Sequence, residues 1–226
     1  MTKRTYLPLL TLLLAWPVVP VAGFAEEIPA AANLCLTCHQ VTVESDRAVQ
    51  GAPPLFYAGN KFNRDWLESW LQTPTRIRPA GGFFADHIIT SEEGDSIDTA
   101  SLAPHPSVDS AAAKQLSDWL MSLRPHDQLI AESIEYSPAP ISPRLGAMDF
   151  VKFKGCGGCH RDTPEYGGVS GPELYTAWQR LQPEFIVSYI KNPRAWNQQS
   201  SMPDRNLQDE QIHKLVNYLK SLHKED

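Results

Sequence analysis

The pentapeptide Cys-x-x-Cys-His occurs twice in this chain, at Cys35 to His39 and at Cys156 to His160, and the two copies use all four cysteines. Two thiols three positions apart can bond the two vinyl groups of one haem, and the histidine that follows then lies under the iron. The spacing therefore predicts two covalently bound haem c groups. Cys35, Cys38, Cys156 and Cys159 are the attachment points, and His39 and His160 are the proximal ligands. The competing reading is a four-coordinate zinc built from both cysteine pairs. Zinc does not call for a histidine directly after each second cysteine. With the thiols consumed by haem, none remains for a structural disulfide, and the haem itself becomes the staple.

The first residues read as an export signal. Lys3 and Arg4 precede an almost wholly apolar stretch from Tyr6 to Phe24. Gly23-Phe24-Ala25 offers small residues at the positions a signal peptidase reads, which predicts a leader over 1–25 and cleavage before Glu26. The alternative is an uncleaved anchor on the outer face of the inner membrane, although Pro8, Pro17 and Pro20 interrupt the stretch. No later segment is apolar enough to span a bilayer, and no cysteine near the cleavage site offers a point for lipid attachment. Removing the leader leaves 18 basic against 26 acidic side chains, a balance of −8. Such a surface argues against nucleic acid and suits a redox partner whose docking surface is basic. Solubility alone would also account for it.

The chain repeats itself. Residues 62–74 match 181–193 without a gap, apolar on apolar at 62/181, 66/185, 67/186, 70/189 and 71/190. That spacing is one face of a helix, and Pro74 and Pro193 end the two copies. The copies are 119 positions apart and the Cys-x-x-Cys-His motifs 121. Leu116 to Leu123 corresponds to Leu215 to Leu222 as the closing helix of each half. Asp109 or Ser110 is placed to cap the first of these helices, and Leu207-Gln208-Asp209 opens the second. Between the halves, Arg124 to Pro143 carries four prolines and reads as largely extended linker. No sustained alternation of apolar and polar residues predicts a sheet. The expectation is an all-α chain of two tandem helical domains, 26–124 and 143–226, joined by 125–142. Each is too small for a self-sufficient core and folds around one haem. Trp66, Trp70, Phe185 and Tyr189 read as pocket and core packing rather than as an electron relay.

These features resemble the class I cytochromes c, in the two-domain dihaem form of the bacterial periplasm. Gly146-Ala-Met-Asp-Phe150 resembles the family's first helix, whose glycine lets the last helix cross closely, and Tyr218 lies where the family puts the aromatic at that crossing. Gly171-Pro172-Glu-Leu174 resembles the loop whose proline carbonyl holds the proximal histidine ring, and Ala52-Pro53-Pro54-Leu55 matches it in the first half. Met202-Pro203 resembles the loop that supplies the sixth iron ligand. Met202 is independently conspicuous, a thioether in the polar run Ser-Ser-Met-Pro-Asp with little packing reason to be there. The resemblance also implies assembly outside the cytoplasmic membrane, hence the periplasm.

The first half departs from the pattern. No glycine and aromatic pair precedes Cys35, no Met-Pro follows the proline loop, and about twenty residues are inserted between Pro74 and Val108. The insert holds His87 and His105. Aligning the closing helices backwards puts His105-Pro106 near Met202-Pro203, whereas aligning forward from Pro74 favours the region of Phe83 to His87. His105 is preferred as sixth ligand, with His87 as the alternative. His126, His213 and His223 read as linker and surface residues. The functional expectation is an electron carrier with His39 and His105 on one iron and His160 and Met202 on the other. A methionine raises a haem's potential relative to a second imidazole, so electrons should pass from the first haem to the second. The alternatives are a peroxidase-like or sulfur-compound-oxidising haem enzyme with an open first site, or the cytochrome c subunit of a larger respiratory complex. The absence of a fifth cysteine argues against the sulfur enzymes.

Overall fold

A computed structural model describes residues 27–43 and 52–223; the leader assigned to 1–25 lies outside them. The described chain is mainly helical. A 3-10 helix, Ala30–Thr37, carries Cys35 into the first motif. Then come α1 (Ala58–Lys61), α2 (Arg64–Gln72), the insert, α3 (Ser110–Ser122) and α4 (Asp127–Ala131). The second half contains α5 (Pro143–Met148), α6 (Ala177–Arg180), α7 (Pro183–Lys191), α8 (Pro193–Trp196) and α9 (Asp209–Leu222). Among the described residues no helix is long and apolar enough to cross a membrane.

Local chemistry accounts for the helix ends. The Asp109 carboxylate accepts from the Ala112 N–H at 2.9 Å and caps α3. Gln208 and Gln211 form a reciprocal capping box at the start of α9. Pro183 occupies the first turn of α7, where its missing N–H costs nothing. The helix α5 continues through a π turn, Asp149–Phe153, towards Cys156. A Cβ added at Gly146 would collide with the ring of Tyr218, so glycine is required where α5 crosses α9.

The apolar stripes meet as their periodicity demands. Leu67 and Leu71 of α2, with Leu116, Trp119 and Leu120 of α3, are buried in the first half. Phe185 and Ile186 of α7, with Leu215, Tyr218 and Leu219 of α9, are buried in the second. All belong to one continuous core.

The seam between the halves is built from matched positions of the repeat. Phe62 and Leu181 form an isolated antiparallel bridge. The Asn63 N–H donates to the Arg180 carbonyl at 2.9 Å, and the Gln182 N–H donates to the Lys61 carbonyl at 2.9 Å. Since 61 matches 180 and 63 matches 182, the two bonds are reciprocal about a local two-fold axis. Side chains reinforce them: Asn63 Nδ2 donates to the Gln179 carbonyl at 2.9 Å and Gln182 Nε2 to the Phe62 carbonyl at 2.7 Å. Tyr57 stacks on Phe185 with ring centroids 6.1 Å apart.

Three expectations need correction. The insert contains a short antiparallel hairpin, β1 (Ile88–Ser91) with β2 (Gly94–Ile97), where no sheet was expected. Its strands are four residues long and mostly exposed, so burial never wrote an alternating pattern into them. The linker is not simply extended. It contains α4, and the Leu129 carbonyl accepts from Ser188 Oγ of α7 at 3.2 Å. Further on, the buried Asn217 accepts from Tyr136 Oη at 2.8 Å and from the Ala139 N–H at 3.0 Å, pinning the strap to α9. Nor is His126 a surface residue: its ring packs against Phe56, Tyr57 and Trp196 at 5.6, 5.7 and 5.3 Å.

Candidate functional site

Both Cys-x-x-Cys-His motifs fold into the same turn. The His39 and Cys38 N–H groups donate to the Cys35 carbonyl at 2.8 and 3.1 Å. The His160 and Cys159 N–H groups donate to the Cys156 carbonyl at 3.0 and 3.1 Å. Cys35 and Cys156 are half-buried, Cys38 and Cys159 exposed, and none is in a disulfide. Burial holds the Cys35 and Cys156 thiols above their ordinary range. Among the described residues no three His, Cys, Asp or Glu side chains gather in a metal-holding group. The two cysteine pairs therefore do not assemble the four-thiolate site that zinc would need.

Each motif histidine is held by a proline carbonyl. His39 Nδ1 lies 2.7 Å from the Pro53 carbonyl and His160 Nδ1 lies 2.7 Å from the Pro172 carbonyl. A proton on Nδ1 satisfies that bond and leaves the Nε2 lone pair for a metal. The loops are fastened alike: the Leu55 N–H donates to the Gln40 carbonyl at 2.8 Å and the Leu174 N–H to the Arg161 carbonyl at 2.7 Å. Gly171 packs so closely under the His160 ring that a Cβ there would lie 2.7 Å from Nδ1. Burial lowers both histidines below the usual imidazole range despite the proline bonds. Nearby positive charge lowers them further, from His105 and Lys61 at His39 and from Arg78 and Arg180 at His160. Neutral, oriented imidazoles are what ligation requires.

The structure separates the two candidate histidines of the insert. The His105 ring lies 6.1 Å from that of His39, centroid to centroid. Two imidazoles sharing one metal ion need about 2 Å for each metal–nitrogen bond and about 1 Å from each nitrogen to its ring centre, roughly 6 Å in all. His105 Nδ1 lies 2.8 Å from the Pro106 carbonyl, again leaving Nε2 as the free nitrogen. His87 turns elsewhere and bonds Ser101 Oγ through Nδ1 at 2.7 Å.

Met202 sits half-buried in its loop, its N–H donating to Ser200 Oγ at 3.3 Å. Ser200 Oγ in turn bonds Tyr189 Oη at 2.9 Å. Tyr189 of α7 matches Trp70 of α2 in the repeat, and Trp70 packs on His105 at 4.6 Å. The same helical position therefore backs the His105 segment in one half and the Met202 loop in the other. Phe62, just before α2, stacks on Trp66 and Trp66 on Trp70, 5.6 Å apart at each step, and the stack ends at His105.

Sequence reasoning missed three cations near the histidines: Lys61, Arg78 and Arg180. Lys61 and Arg180 fall at matched positions of the repeat, which was the one signal that could have found them. Arg180 is buried with Glu173, which it meets at 3.3 Å.

Residues 149–223, the second motif and the helices after it, match the family model described as Cytochrome c. No curated protein and no solved structure matched the chain. A domain of this family implies covalently bound haem c, and the match supports a haem-binding electron-transfer protein. Residues around the second motif fit that group: paired thiols beside a neutral histidine, and a glycine cradle under its ring.

Proposed function

We propose that the chain is a dihaem c-type cytochrome that carries electrons between redox proteins outside the cytoplasmic membrane, after export by the leader over 1–25. Its two haem domains are 26–124 and 143–226, with 125–142 as the strap between them. Cys35 and Cys38 hold one haem and Cys156 and Cys159 the other. His39 and His105 would hold the iron of the first site, and His160 and Met202 that of the second. The observation that carries this reading is the 6.1 Å spacing of the His39 and His105 rings, each tied at Nδ1 to a proline carbonyl. It supports a ligand pair in the half that lies outside the family match.

Haem iron, when bound, supplies a one-electron couple whose potential depends on its axial ligands. The polypeptide keeps four ligand side chains oriented and walls the sites with aromatic rings. It performs no bond-making step. Met202, with its thioether, would give the second site a higher potential than two imidazoles would give the first. The net negative surface suits partners with basic docking faces.

The test is the mass of the protein purified from a host that attaches haem c. Two haem additions and loss of residues 1–25 are expected. A mass with one haem or none, or bound zinc, overturns the reading.

A further inference from the structure

The seam holds more positive charge than the protein neutralises. Lys61 and Arg180 lie diagonally across the Phe62–Leu181 bridge, fixed there by the reciprocal bonds of their carbonyls. Arg78 arrives from the insert: the neighbouring Ile77 carbonyl accepts from the Glu173 N–H at 2.7 Å, and the Glu173 carboxylate is the partner of Arg180. Arg180 is thus paired. Among the described residues Lys61 and Arg78 have no ion-pair partner. Lys61 Nζ lies over the rings of Phe62, Tyr57 and Phe185, 4.8, 5.7 and 5.9 Å from their centroids, the last belonging to the second half. Arg78 donates from Nη1 to the Gly82 carbonyl at 3.0 Å. Among the described residues the groups facing these cations are Arg180, Tyr189 and the two motif histidines, with no carboxylate other than the one Arg180 already occupies. Burial, then Arg180 and Arg78, push the Lys61 ammonium down to about 7.

Unpaired cations in an apolar setting are costly and call for anions. Lys61 lies over Phe62, the first ring of the stack that runs through Trp66 and Trp70 to His105, and Arg78 follows Ile77, whose carbonyl holds the residue next to Pro172, the partner of His160. We propose that Lys61 and Arg78 are a carboxylate clamp for the haem propionates, Lys61 serving the first haem and Arg78 crossing the seam from the first half to serve the second. The inference rests on the dihaem reading. It makes the insert of one half part of the other half's haem site, so that the potential of the second haem depends on a residue of the first half.

The experiment is spectroelectrochemical titration of the holoprotein, the methionine-to-iron band reporting the second haem and the remaining absorbance the first. Haem content is measured by mass beforehand. Wild-type protein with fewer than two haems fails the dihaem reading itself, separately from the clamp. In protein with two haems, Arg78→Gln lowers the midpoint potential of the second haem, since a positive charge no longer offsets its propionate. Lys61→Met lowers that of the first. Arg78→Lys restores most of the shift, and Arg194→Gln, which removes an exposed cation of α8, changes neither potential. Resonance Raman propionate modes shift at the same haem as the potential. An Arg78→Gln protein with two haems and an unmoved second potential overturns the proposal, as does a shift confined to the first haem.

Discussion

Each candidate iron ligand is a short-range arrangement whose neighbours are known. His105 combines a proline-tied Nδ1, packing on Trp70 and the 6.1 Å approach to His39, while His87 spends its Nδ1 on Ser101. His105→Ala is therefore expected to turn the first haem high-spin and open it to carbon monoxide in the reduced protein. His87→Ala is expected to leave both haems low-spin and closed. Optical carbon monoxide titration of the two variants decides, and the reverse pattern moves the ligand to His87. At the second site, Met202→Ala is expected to abolish the far-red methionine-to-iron band and lower that haem's potential. Survival of the band in the variant means that another residue is the ligand.

Helices matter here through where they cross and what they hold. At the α5–α9 crossing, Gly146 faces Tyr218, and the Tyr218 hydroxyl donates to the buried Asp162 at 2.7 Å. Gly146→Ala forces that crossing apart and is expected to cost about 1–3 kcal/mol, the usual range for overpacking. Denaturant unfolding of the holoprotein measures it, and a cost below about 0.5 kcal/mol means that the crossing relaxes freely. The pair Glu173–Arg180 anchors the end of α6 to the proline loop, with Arg180 Nη2 also donating to the Glu173 carbonyl at 2.5 Å. Both side chains are only 4% exposed. Glu173→Gln strands the guanidinium beside Lys61 and Arg78, and breaking such a buried pair costs roughly 3–5 kcal/mol. The same denaturant experiment measures that loss.

On the scale of the whole molecule, the reciprocal bonds of the seam, the Tyr57–Phe185 stack and the shared core tie the two halves together. The strap adds a second tie through Asn217, which also donates from Nδ2 to the Ser137 carbonyl at 3.0 Å. Thermal unfolding is therefore expected as one transition, with the far-ultraviolet signal and both haem absorbances changing together. Two separated transitions would mean that the seam contributes little. Asn217→Ala frees the strap and is expected to make 132–142 the first site of limited proteolysis while the seam keeps the nicked halves associated.

What the sequence determined by itself is local or periodic. The Cys-x-x-Cys-His turns, the apolar faces of α2, α3, α7 and α9, and a cap for α3 at Asp109 or Ser110 are written in a few neighbouring residues, because turn geometry and helical period act over short distances, whereas the role of Gly146 came only from the family resemblance. The offset of 119 between matched segments followed from the same periodicity. It could not say that the copies would pair with each other at Phe62 and Leu181, because nothing local records which surface meets which. The choice between His87 and His105 was open for a related reason. Two alignments through an insert of about twenty residues pointed to different histidines, with His105 preferred over His87, and the folded path of the insert brings the His105 ring 6.1 Å from that of His39. The hairpin was silent because its exposed strands are under no pressure to alternate. His126 was misread because composition marks a proline-rich linker but not the Phe56, Tyr57 and Trp196 rings that enclose it. The reading of the sequence did not single out Lys61 or Arg78. Tertiary structure sets them apart, by folding Lys61 over the rings of Phe62, Tyr57 and Phe185 and bringing Arg78 and the buried Arg180 to the same seam, where a charge without a partner acquires a meaning that no spacing along the chain could carry.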